Sequence, residues 1–401
     1  MKAVIAPSKA EGSVSAPPSK SMAHRYLIAG ALSKGKSIIH NIELSKDIDA
    51  TLSCLRALGI DAEYSGDSVM LDGTLAPSDG AVLDCNESGS TLRFMIPICL
   101  TTGKRLTLTG TDKLFSRPLS VYEDICRKYG FDYDKSGNRL TVKGCLTPDV
   151  YEIPGDISSQ FVTGMLFALT LLGRDSKLRL TGKTESRPYI DMTLQVLREC
   201  GADVTWTGTN ELMIKGGREY RPGEYYVEGD CSNAAFLEAY NYLGSHVEVS
   251  GLRKDTLQGD IRYREFFPLL CETSPEIDIS DCPDLGPILI AMAAACNGAH
   301  FVGTARLEIK ESNRGEAMKA ELAKMGVNIT VSADEIIVPK STLHCPAEPI
   351  DGHNDHRIVM AMATLLTMSG GEIEGAQAVS KSYPNYFKSI KQLGIDVETK
   401  E

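Results

Sequence analysis

The chain contains six long apolar runs, each opened by small polar residues and closed at or near a glycine. They read "SKSMAHRYLIAGALSKG" from Ser19, "ESGSTLRFMIPICLTTG" from Glu87, "ISSQFVTGMLFALTLLG" from Ile157, "CSNAAFLEAYNYLG" from Cys231, "DLGPILIAMAAACNG" from Asp284 and "DHRIVMAMATLLTMSGG" from Asp355. Each run is apolar around most of a helical circumference. The pattern therefore predicts six helices that are buried on nearly all sides, and only the polar residues that open each helix are expected to reach solvent.

The segments between these runs repeat as well. The stretches that start at Leu106 and Leu178 both read as an alternating strand, a Gly, a polar loop with Arg-Pro, an amphipathic helix that ends at Gly, and two short strands. The strand after each buried helix ends near Asn41, Gly110, Gly182, Gly251, Gly303 and Gly375, at intervals of 69, 72, 69, 52 and 72 residues. The sequence therefore predicts six copies of one α/β unit, of which the fourth is shorter.

Length and charge narrow the class of protein. With 401 residues, 42% hydrophobic and 24% charged, the chain is long enough for two or three globular domains, and two are expected. A net charge of −11 argues against nucleic acid or an anionic membrane as a partner. No apolar run reaches the roughly 20 residues of a membrane span, and the first residues lack an export signal, so a soluble cytoplasmic protein is expected.

Eleven cysteines are scattered along the chain without a Cys-x-x-Cys pair, and many lie inside apolar stretches. Buried thiols without disulfides are the expectation.

The start of the sixth run, "DGHNDHR", raises the question of a metal. His353, Asp355 and His356 could converge on one ion, but the guanidinium of Arg357 would be repelled by it and matches a carboxylate or phosphate instead. We predict a cluster at a helix start without a metal, in which Asp355 or His356 caps the helix and Arg357 faces an anion. Six such helix starts aimed at one place would form an anion receptor.

Nine short motifs follow one another along the whole chain: "PPSKSMAHR" (17–25), "ESGSTLRF" (87–94), "SRP" (116–118), "SSQF" (158–161), "SRPYIDMT" (186–193), "PDLGP" (283–287), "IKESNR" (309–314), "NDHR" (354–357) and "KSYPNYF" (381–387). In this order they resemble the motifs of the 5-enolpyruvylshikimate-3-phosphate synthase family of enolpyruvyl transferases. The resemblance implies a two-domain inside-out α/β barrel in which each domain holds three βαβαββ repeats. It places residues 1–14 and 229–401 in one domain and 15–228 in the other, with the active site in the cleft between the domains.

The family's reaction moves the enolpyruvyl group of phosphoenolpyruvate to the 5-hydroxyl of shikimate 3-phosphate through a tetrahedral intermediate and releases phosphate. The resemblance implies no metal or organic cofactor, and a monomer is expected. Two alternatives stay open. One is the sister enzyme that uses UDP-N-acetylglucosamine, although the loop at 111–119 lacks the cysteine typical of it. The other is an inert anion-binding protein on the same fold, which has no need for a paired acid and base.

The resemblance also assigns residues to roles. Asp284 is the implied base at the 5-hydroxyl and Glu311 the acid and base at the methylene carbon, with Lys20 sharing proton transfer. The implied ligands of shikimate 3-phosphate are Lys20, Ser21, Arg25, Ser158, Ser159, Gln160, Ser186, Tyr189, Asp284, Arg306 and Lys310. Those of phosphoenolpyruvate are Lys20, Gly89, Arg93, Arg117, Gln160, Arg314, Arg357 and Lys381.

The match departs from the family at two positions near these ligands. Glu87 and Arg306 stand where many relatives carry Asn. Glu87 adds negative charge near the expected phosphoenolpyruvate pocket. Arg306 could add a contact to the shikimate phosphate.

Overall fold

A computed structural model describes residues 1–401 and divides the chain into two units. The continuous unit is Pro18–Glu228, and the discontinuous unit combines Met1–Pro17 with Gly229–Glu401. The first division falls a few residues after the predicted crossing at 14, because the strand at Glu11–Ser15 pairs with residues 246–250 and so belongs to the discontinuous unit.

The strands are short and numerous. In chain order they are β1 (Lys2–Ile5), β2 (Glu11–Ser15), β3 (Ser37–His40), β4 (Ile60–Ser65), β5 (Ser68–Gly73), β6 (Val82–Asp84), β7 (Leu106–Thr109), β8 (Asp132–Ser136), β9 (Arg139–Lys143), β10 (Val150–Pro154), β11 (Ser176–Thr181), β12 (Val204–Trp206), β13 (Glu211–Ile214), β14 (Glu224–Tyr226), β15 (His246–Ser250), β16 (Glu276–Asp278), β17 (Ala299–Val302), β18 (Thr330–Val331), β19 (Glu335–Val338), β20 (Ile350–Asp351), β21 (Gly371–Glu374) and β22 (Val397–Lys400).

The helices fall into a buried set and an amphipathic set. In chain order they are α1 (Lys20–Ala31), α2 (Lys46–Ala57), α3 (Gly89–Cys99), α4 (Asp112–Phe115), α5 (Ser120–Tyr129), α6 (Ser159–Leu169), α7 (Arg187–Glu199), α8 (Cys231–Tyr242), α9 (Tyr263–Glu272), α10 (Gly286–Ala295), α11 (Arg314–Lys324), α12 (His356–Ser369) and α13 (Tyr386–Gln392). The six apolar runs form α1, α3, α6, α8, α10 and α12. Nearly every residue of α10 is buried, as a helix that is apolar all round requires.

Five of the six repeats form a four-stranded sheet with the same pairing. In the sheet β10-β11-β13-β12, the first pair is parallel and is connected through a buried helix, whereas the other pairs are antiparallel. The sheets β6-β7-β9-β8 and β14-β3-β5-β4 complete the continuous unit. In the last of these, β14 comes from the far end of the unit and pairs in parallel with β3. The predicted α/β class is confirmed.

The discontinuous unit contains two full repeats and a shortened one. Its sheets are β16-β17-β19-β18 and β20-β21-β1-β22, in which β1 supplies the strand that closes the last repeat. The fourth repeat consists of the parallel pair β2 and β15 with α8 and α9, and it lacks the final antiparallel hairpin. This missing hairpin explains why the fourth interval in the sequence is only 52 residues.

Each unit has its own hydrophobic core, in which the buried helices pack against the inner faces of the sheets. Seven of the eleven cysteines are buried in these cores. The expectation that the thiols are buried is wrong for Cys145 and Cys345, which lie exposed in polar loops, and Cys271 and Cys296 are partly exposed. All eleven are free thiols.

Candidate active site

In the continuous unit, the buried helices begin with capping serines. Ser19 accepts a hydrogen bond from the amide of Met22, Ser88 from Thr91 and Ser158 from Gln160. Lys20, Ser21, Gly89, Ser159 and Gln160 therefore occupy the first turns of α1, α3 and α6. These turns carry unpaired N–H groups and a partial positive charge, which suits them to phosphate and carboxylate.

Arg25 is buried on α1 and is held by its own helix and by α7. Its Nε donates to Thr193 Oγ1 at 2.8 Å, its Nη1 to the carbonyl of Ser21 at 2.5 Å, and its Nη2 to the carbonyl of Tyr189 at 2.9 Å. Burial lowers the pKa of Arg25 to about 10. The guanidinium thus stays charged near neutral pH and brings Ser21 and Tyr189 together.

Arg93, Arg117, Gly89 and Gln160 form a second group in this unit. Arg93 Nη1 donates to Gln160 Oε1 at 2.7 Å, and Gln160 Nε2 donates to Ser90 Oγ at 3.0 Å. A side chain at Gly89 would place its Cβ 2.8 Å from Arg117 Nη1 and 3.2 Å from Arg93 Nη1. Two guanidinium groups therefore crowd one glycine at a helix start, an arrangement that favours a bound anion.

Two further predicted residues lie at the edge of these groups. Lys20 Nζ contacts Asp47 Oδ2 on α2 at 2.7 Å, and both side chains are largely buried. Ser186 is fully buried just before α7 and has a φ of +52°, in the left-handed region that residues other than glycine rarely adopt. Such backbone strain concentrates at functional sites.

In the discontinuous unit, Arg314 is the centre of an ionic network at the start of α11. Its Nη1 lies 2.9 Å from Asp284 Oδ1, its Nη2 2.8 Å from Glu311 Oε2, and its Nε 2.9 Å from Asp355 Oδ2. Burial opposes the charge, but the three carboxylates outweigh it and raise the pKa of Arg314. One buried cation thus connects the two residues predicted as base and acid.

Asp284 lies in a single 3-10 turn, Pro283–Leu285, immediately before α10 rather than on the helix itself. Its carboxylate also contacts Lys310 Nζ at 3.0 Å and Arg357 Nη2 at 3.1 Å. Burial alone would raise the pKa of Asp284, but Arg357, Lys310 and Arg314 hold it well below its usual range. The carboxylate is therefore ionised and able to accept a proton or hydrogen bond.

The cations around Asp284 differ in how readily they lose a proton. Burial, together with the nearby charges of Arg306 and Arg314, lowers the pKa of Lys310 to about 8 against the attraction of Asp284. Arg306 is buried in the 3-10 turn Ala305–Leu307. Of the cations here, Lys310 is the one whose charge can change in the neutral to mildly alkaline range.

Arg357 lies in the first turn of α12, and Lys381 is the last residue of the 3-10 helix Ala376–Lys381. Arg357 is 4% exposed, and its Nε and Nη1 have no hydrogen-bond acceptor in the protein. Lys381 Nζ donates to the carbonyl of Asn354 at 2.7 Å. Buried donors without acceptors cost free energy unless a ligand accepts from them, so Arg357 is suited to bind an anion.

The histidines of "DGHNDHR" do not converge. His353 Nε2 lies 2.8 Å from Glu321 Oε1, whereas the buried His356 has its Nδ1 3.8 Å from Asp355 Oδ1. Asp355 caps α12 by accepting a hydrogen bond from the amide of Arg357 at 2.9 Å. No group of three or more His, Cys, Asp or Glu side chains is arranged to hold a metal ion.

Several residues of these networks carried no signal in the sequence analysis. Asp47, Ser90 and Thr193 touch predicted ligands but lie on surfaces that only the folded chain brings near them. Asp355 was predicted as a possible cap, but its bond to Arg314 joins positions 41 residues apart and could not be predicted.

Comparisons with known proteins match this chain to one family over nearly its whole length. The model of the family described as EPSP synthase (3-phosphoshikimate 1-carboxyvinyltransferase) matches residues 4–266 and 270–390. A 3-phosphoshikimate 1-carboxyvinyltransferase of Clostridium perfringens is 38% identical, with 98% of each chain covered. One from Clostridioides difficile is 36% identical, with 97% of each chain covered.

Solved structures share the fold. EPSP synthase from Acinetobacter baumannii superposes with a TM-score of 0.81 at 23% identity and covers 100% of both chains. The enolpyruvyl transferase NikO from Streptomyces tendae has a TM-score of 0.78 at 13% identity, covering 99% of this chain and 98% of its own. At these identities the likeness establishes the fold alone. None of the helices in this chain has the length and apolar character needed to cross a membrane.

Proposed function

The chain belongs to the EPSP synthase (3-phosphoshikimate 1-carboxyvinyltransferase) family, and we propose that the groups described above carry out that family's reaction. The enzyme transfers the enolpyruvyl group of phosphoenolpyruvate to shikimate 3-phosphate, a step of the shikimate pathway toward aromatic amino acids. The acceptor is the 5-hydroxyl, the intermediate is tetrahedral, and phosphate leaves.

The observation that carries the assignment of roles is the shared contact of Asp284 and Glu311 with Arg314. The reaction needs a base at the hydroxyl, an acid at the methylene carbon, and cations around two phosphates and two carboxylates. Arg314 holds the two carboxylates at a fixed separation from one another. Lys310 and Arg357 supply additional positive charge beside Asp284. An inert anion-binding protein has no use for this pairing.

The proton transfers follow from these positions. Asp284 accepts the proton of the 5-hydroxyl as the hydroxyl oxygen attacks C2 of phosphoenolpyruvate, while Glu311, which is protonated when the substrates are bound, donates its proton to the methylene carbon. In the second step Glu311 removes a proton from the resulting methyl group as the C2–O bond to phosphate breaks, and the proton held by Asp284 leaves with the phosphate. Lys20, which pairs with Asp47, shares the proton transfer.

The low pKa of Asp284 makes it a weak proton acceptor in the unliganded protein. A substrate anion that binds Arg357 and Lys310 neutralises part of the positive charge beside Asp284. The pKa of Asp284 therefore rises when the substrates are in place. This coupling delays activation of the base until both substrates are bound.

Two overlapping sets of residues bind the two substrates. Shikimate 3-phosphate is held through its phosphate by Ser158, Ser159, Ser186, Arg306 and Lys310, and through its ring and carboxylate by Lys20, Ser21, Arg25, Gln160, Tyr189 and Asp284. Phosphoenolpyruvate is held by Lys20, Gly89, Arg93, Arg117, Gln160, Arg314, Arg357 and Lys381. The crowded guanidinium groups beside Gly89 and the unsatisfied donors of Arg357 support the second set.

The test is phosphate release from phosphoenolpyruvate with either shikimate 3-phosphate or UDP-N-acetylglucosamine, before and after exhaustive chelation. Release only with the shikimate ester, unchanged by chelator, is expected. Release with the nucleotide sugar, or no release with either acceptor, would contradict the assignment. Loss of activity on chelation would contradict the metal-free reading of "DGHNDHR".

The proposal also includes a monomer in the cytoplasm without a nucleic-acid or membrane partner. The net charge of −11 supports the exclusion of polyanionic partners. Light scattering coupled to gel filtration measures the oligomeric state, and a mass of two chains or more would contradict the monomer.

A further inference from the structure

A turn with two strained residues leads into α12. His353 has a φ of +48° and Asn354 a φ of +50°, and neither is glycine. The turn is closed by the amide of Asp355, which donates to the carbonyl of Gly352 at 2.8 Å. Two consecutive left-handed residues cost free energy and persist only where surrounding contacts hold them.

The strained turn positions groups assigned above to the reaction. The carbonyl of Asn354 accepts the hydrogen bond from Lys381 Nζ at 2.7 Å. The next residue, Asp355, holds both Arg314 and the amide of Arg357. A change in the turn would therefore move the carbonyl that holds Lys381 and the carboxylate that orients two arginines.

A contact from α11 holds the turn. His353 Nε2 lies 2.8 Å from Oε1 of Glu321, and Oε2 of Glu321 accepts the amide of Asp351 at 2.9 Å. Lys324 Nζ lies 2.7 Å from the same Oε2. The side chain of Glu321 is only 2% exposed. One buried carboxylate thus binds both the imidazole of His353 and the backbone at the start of the turn.

We propose that His353 is a positioning residue for phosphoenolpyruvate, which acts through its bond to Glu321 by holding the turn at 352–355 and, through it, Lys381 and Arg357. His353 itself need not touch substrate. The proposal rests on the proposed function, because Lys381 and Arg357 are assigned to phosphoenolpyruvate there. It gives a role to a histidine in "DGHNDHR" that pairs with Glu321 and does not cap the helix.

The contact between His353 and Glu321 depends on pH, because His353 can gain or lose a charge. The groups that face its ring are Glu321 and Lys324 on α11 and Asp351 on β20, and the bond to Glu321 raises the pKa of His353. A group with a raised pKa stabilises the fold below that pKa, and the contribution is lost as the pH rises through it. The turn is therefore held most firmly at acidic to neutral pH.

Two substitutions at position 353 separate the effect of the His353–Glu321 bond from that of the backbone conformation, and a third substitution elsewhere is the control. Gln at 353 can place an amide nitrogen near the position of Nε2 and keeps a donor to Glu321, whereas Asn tolerates a positive φ but is too short to reach it. We expect His353→Asn to raise KM for phosphoenolpyruvate by about tenfold. His353→Gln should restore most of that loss. KM for shikimate 3-phosphate and kcat should change much less. The control is His246→Asn, which makes the same change of side chain at an exposed position on β15.

Steady-state phosphate release gives both KM values, and hydrogen exchange of peptides covering 349–360 reports on the turn without any need for activity. Faster exchange in His353→Asn than in His353→Gln, with the selective rise in KM, is the expected result. Wild-type KM for phosphoenolpyruvate should also rise with pH more steeply than that of His353→Gln.

Equal exchange and equal KM in the Asn and Gln variants would overturn the proposal, as would an equal rise in both KM values in His353→Asn. A wild-type enzyme without turnover would instead contradict the proposed function. In that case the exchange comparison still decides whether His353 holds the turn.

Discussion

Replacement of Asp355 by Asn tests how much the buried network around Arg314 contributes to stability. Asp355 is fully buried, and the side chain of Arg314 beside it is 1% exposed. Removing one partner of a buried ion pair typically costs about 3–5 kcal/mol. Asn caps a helix about as well as Asp, so the cap of α12 adds little to the loss.

The expected loss for Asp355→Asn is therefore about 3–5 kcal/mol, or roughly 6–20 °C in the melting temperature for a domain of 150–250 residues. Asp355→Ala also removes the cap, which adds about 1 kcal/mol. Urea unfolding followed by circular dichroism, together with calorimetry at pH 7, measures both. The matched control is Asp255→Asn, because Asp255 pairs with Arg253 on the surface and its side chain is 74% exposed. The control should lose much less stability, because solvent-exposed ion pairs contribute little.

The pH dependence provides a second check. Burial and the nearby Glu311 would raise the pKa of Asp355, but Arg314 and His356 lower it below the usual value. A carboxylate with a lowered pKa contributes stability above its unfolded pKa of about 3.9, and that contribution disappears as the pH falls through the folded pKa. The difference between wild type and Asp355→Asn should thus be constant from pH 8 to 5 and narrow only below about pH 4. A loss no larger than that of Asp255→Asn, or a difference that changes between pH 8 and 5, would refute this reasoning.

Three further predictions concern catalysis and binding. Gly89→Ala places a Cβ 2.8 Å from Arg117 Nη1 and should raise KM for phosphoenolpyruvate about tenfold or more in steady-state assays, whereas Gly173→Ala, with open space around it, should not. Asp284→Asn should lower kcat by roughly 10²–10⁴-fold while calorimetric binding of shikimate 3-phosphate is largely kept, and an equal loss of binding would contradict its role as base. Because the pKa of Lys310 is about 8, affinity for shikimate 3-phosphate should fall as the pH rises from 7.5 to 9, and Lys310→Arg should remove this dependence; an unchanged slope would exclude Lys310 from the phosphate site.

The sequence predicted those parts of the fold that are governed by local pattern. A helix that is buried on all sides appears in the sequence as a long apolar run. All six buried helices could therefore be located from the pattern of apolar residues alone. The interval of 52 residues likewise predicted a shorter fourth repeat, now seen as the missing hairpin after α9. Helix caps such as Ser88 and Ser158 follow from the same local rules.

Contacts between distant positions could not be predicted in this way. The pairing of Lys20 with Asp47 and of His353 with Glu321 depends on how α1 meets α2 and how α11 meets the turn before α12. The left-handed conformation of Ser186 is imposed by its surroundings, because serine alone favours other conformations. The resemblance named most ligands, but it gave no reason for their shifted pKa values, which come from burial and, for Asp284 and Lys310, from charges in the same or the next repeat.

The position of β1 in the middle of a sheet has a consequence for synthesis on the ribosome. This strand pairs on one side with β21 and on the other with β22, so Lys2 faces both Glu374 and Lys400. The continuous unit has all its strands once β14 is made, whereas β1 must wait for more than a hundred further residues. At roughly 5–20 residues per second that interval is on the order of ten seconds or more. During it, the first strand of the nascent chain has both edges unpaired, and substitutions that make it more apolar should increase aggregation during expression more than they change the stability of the finished protein.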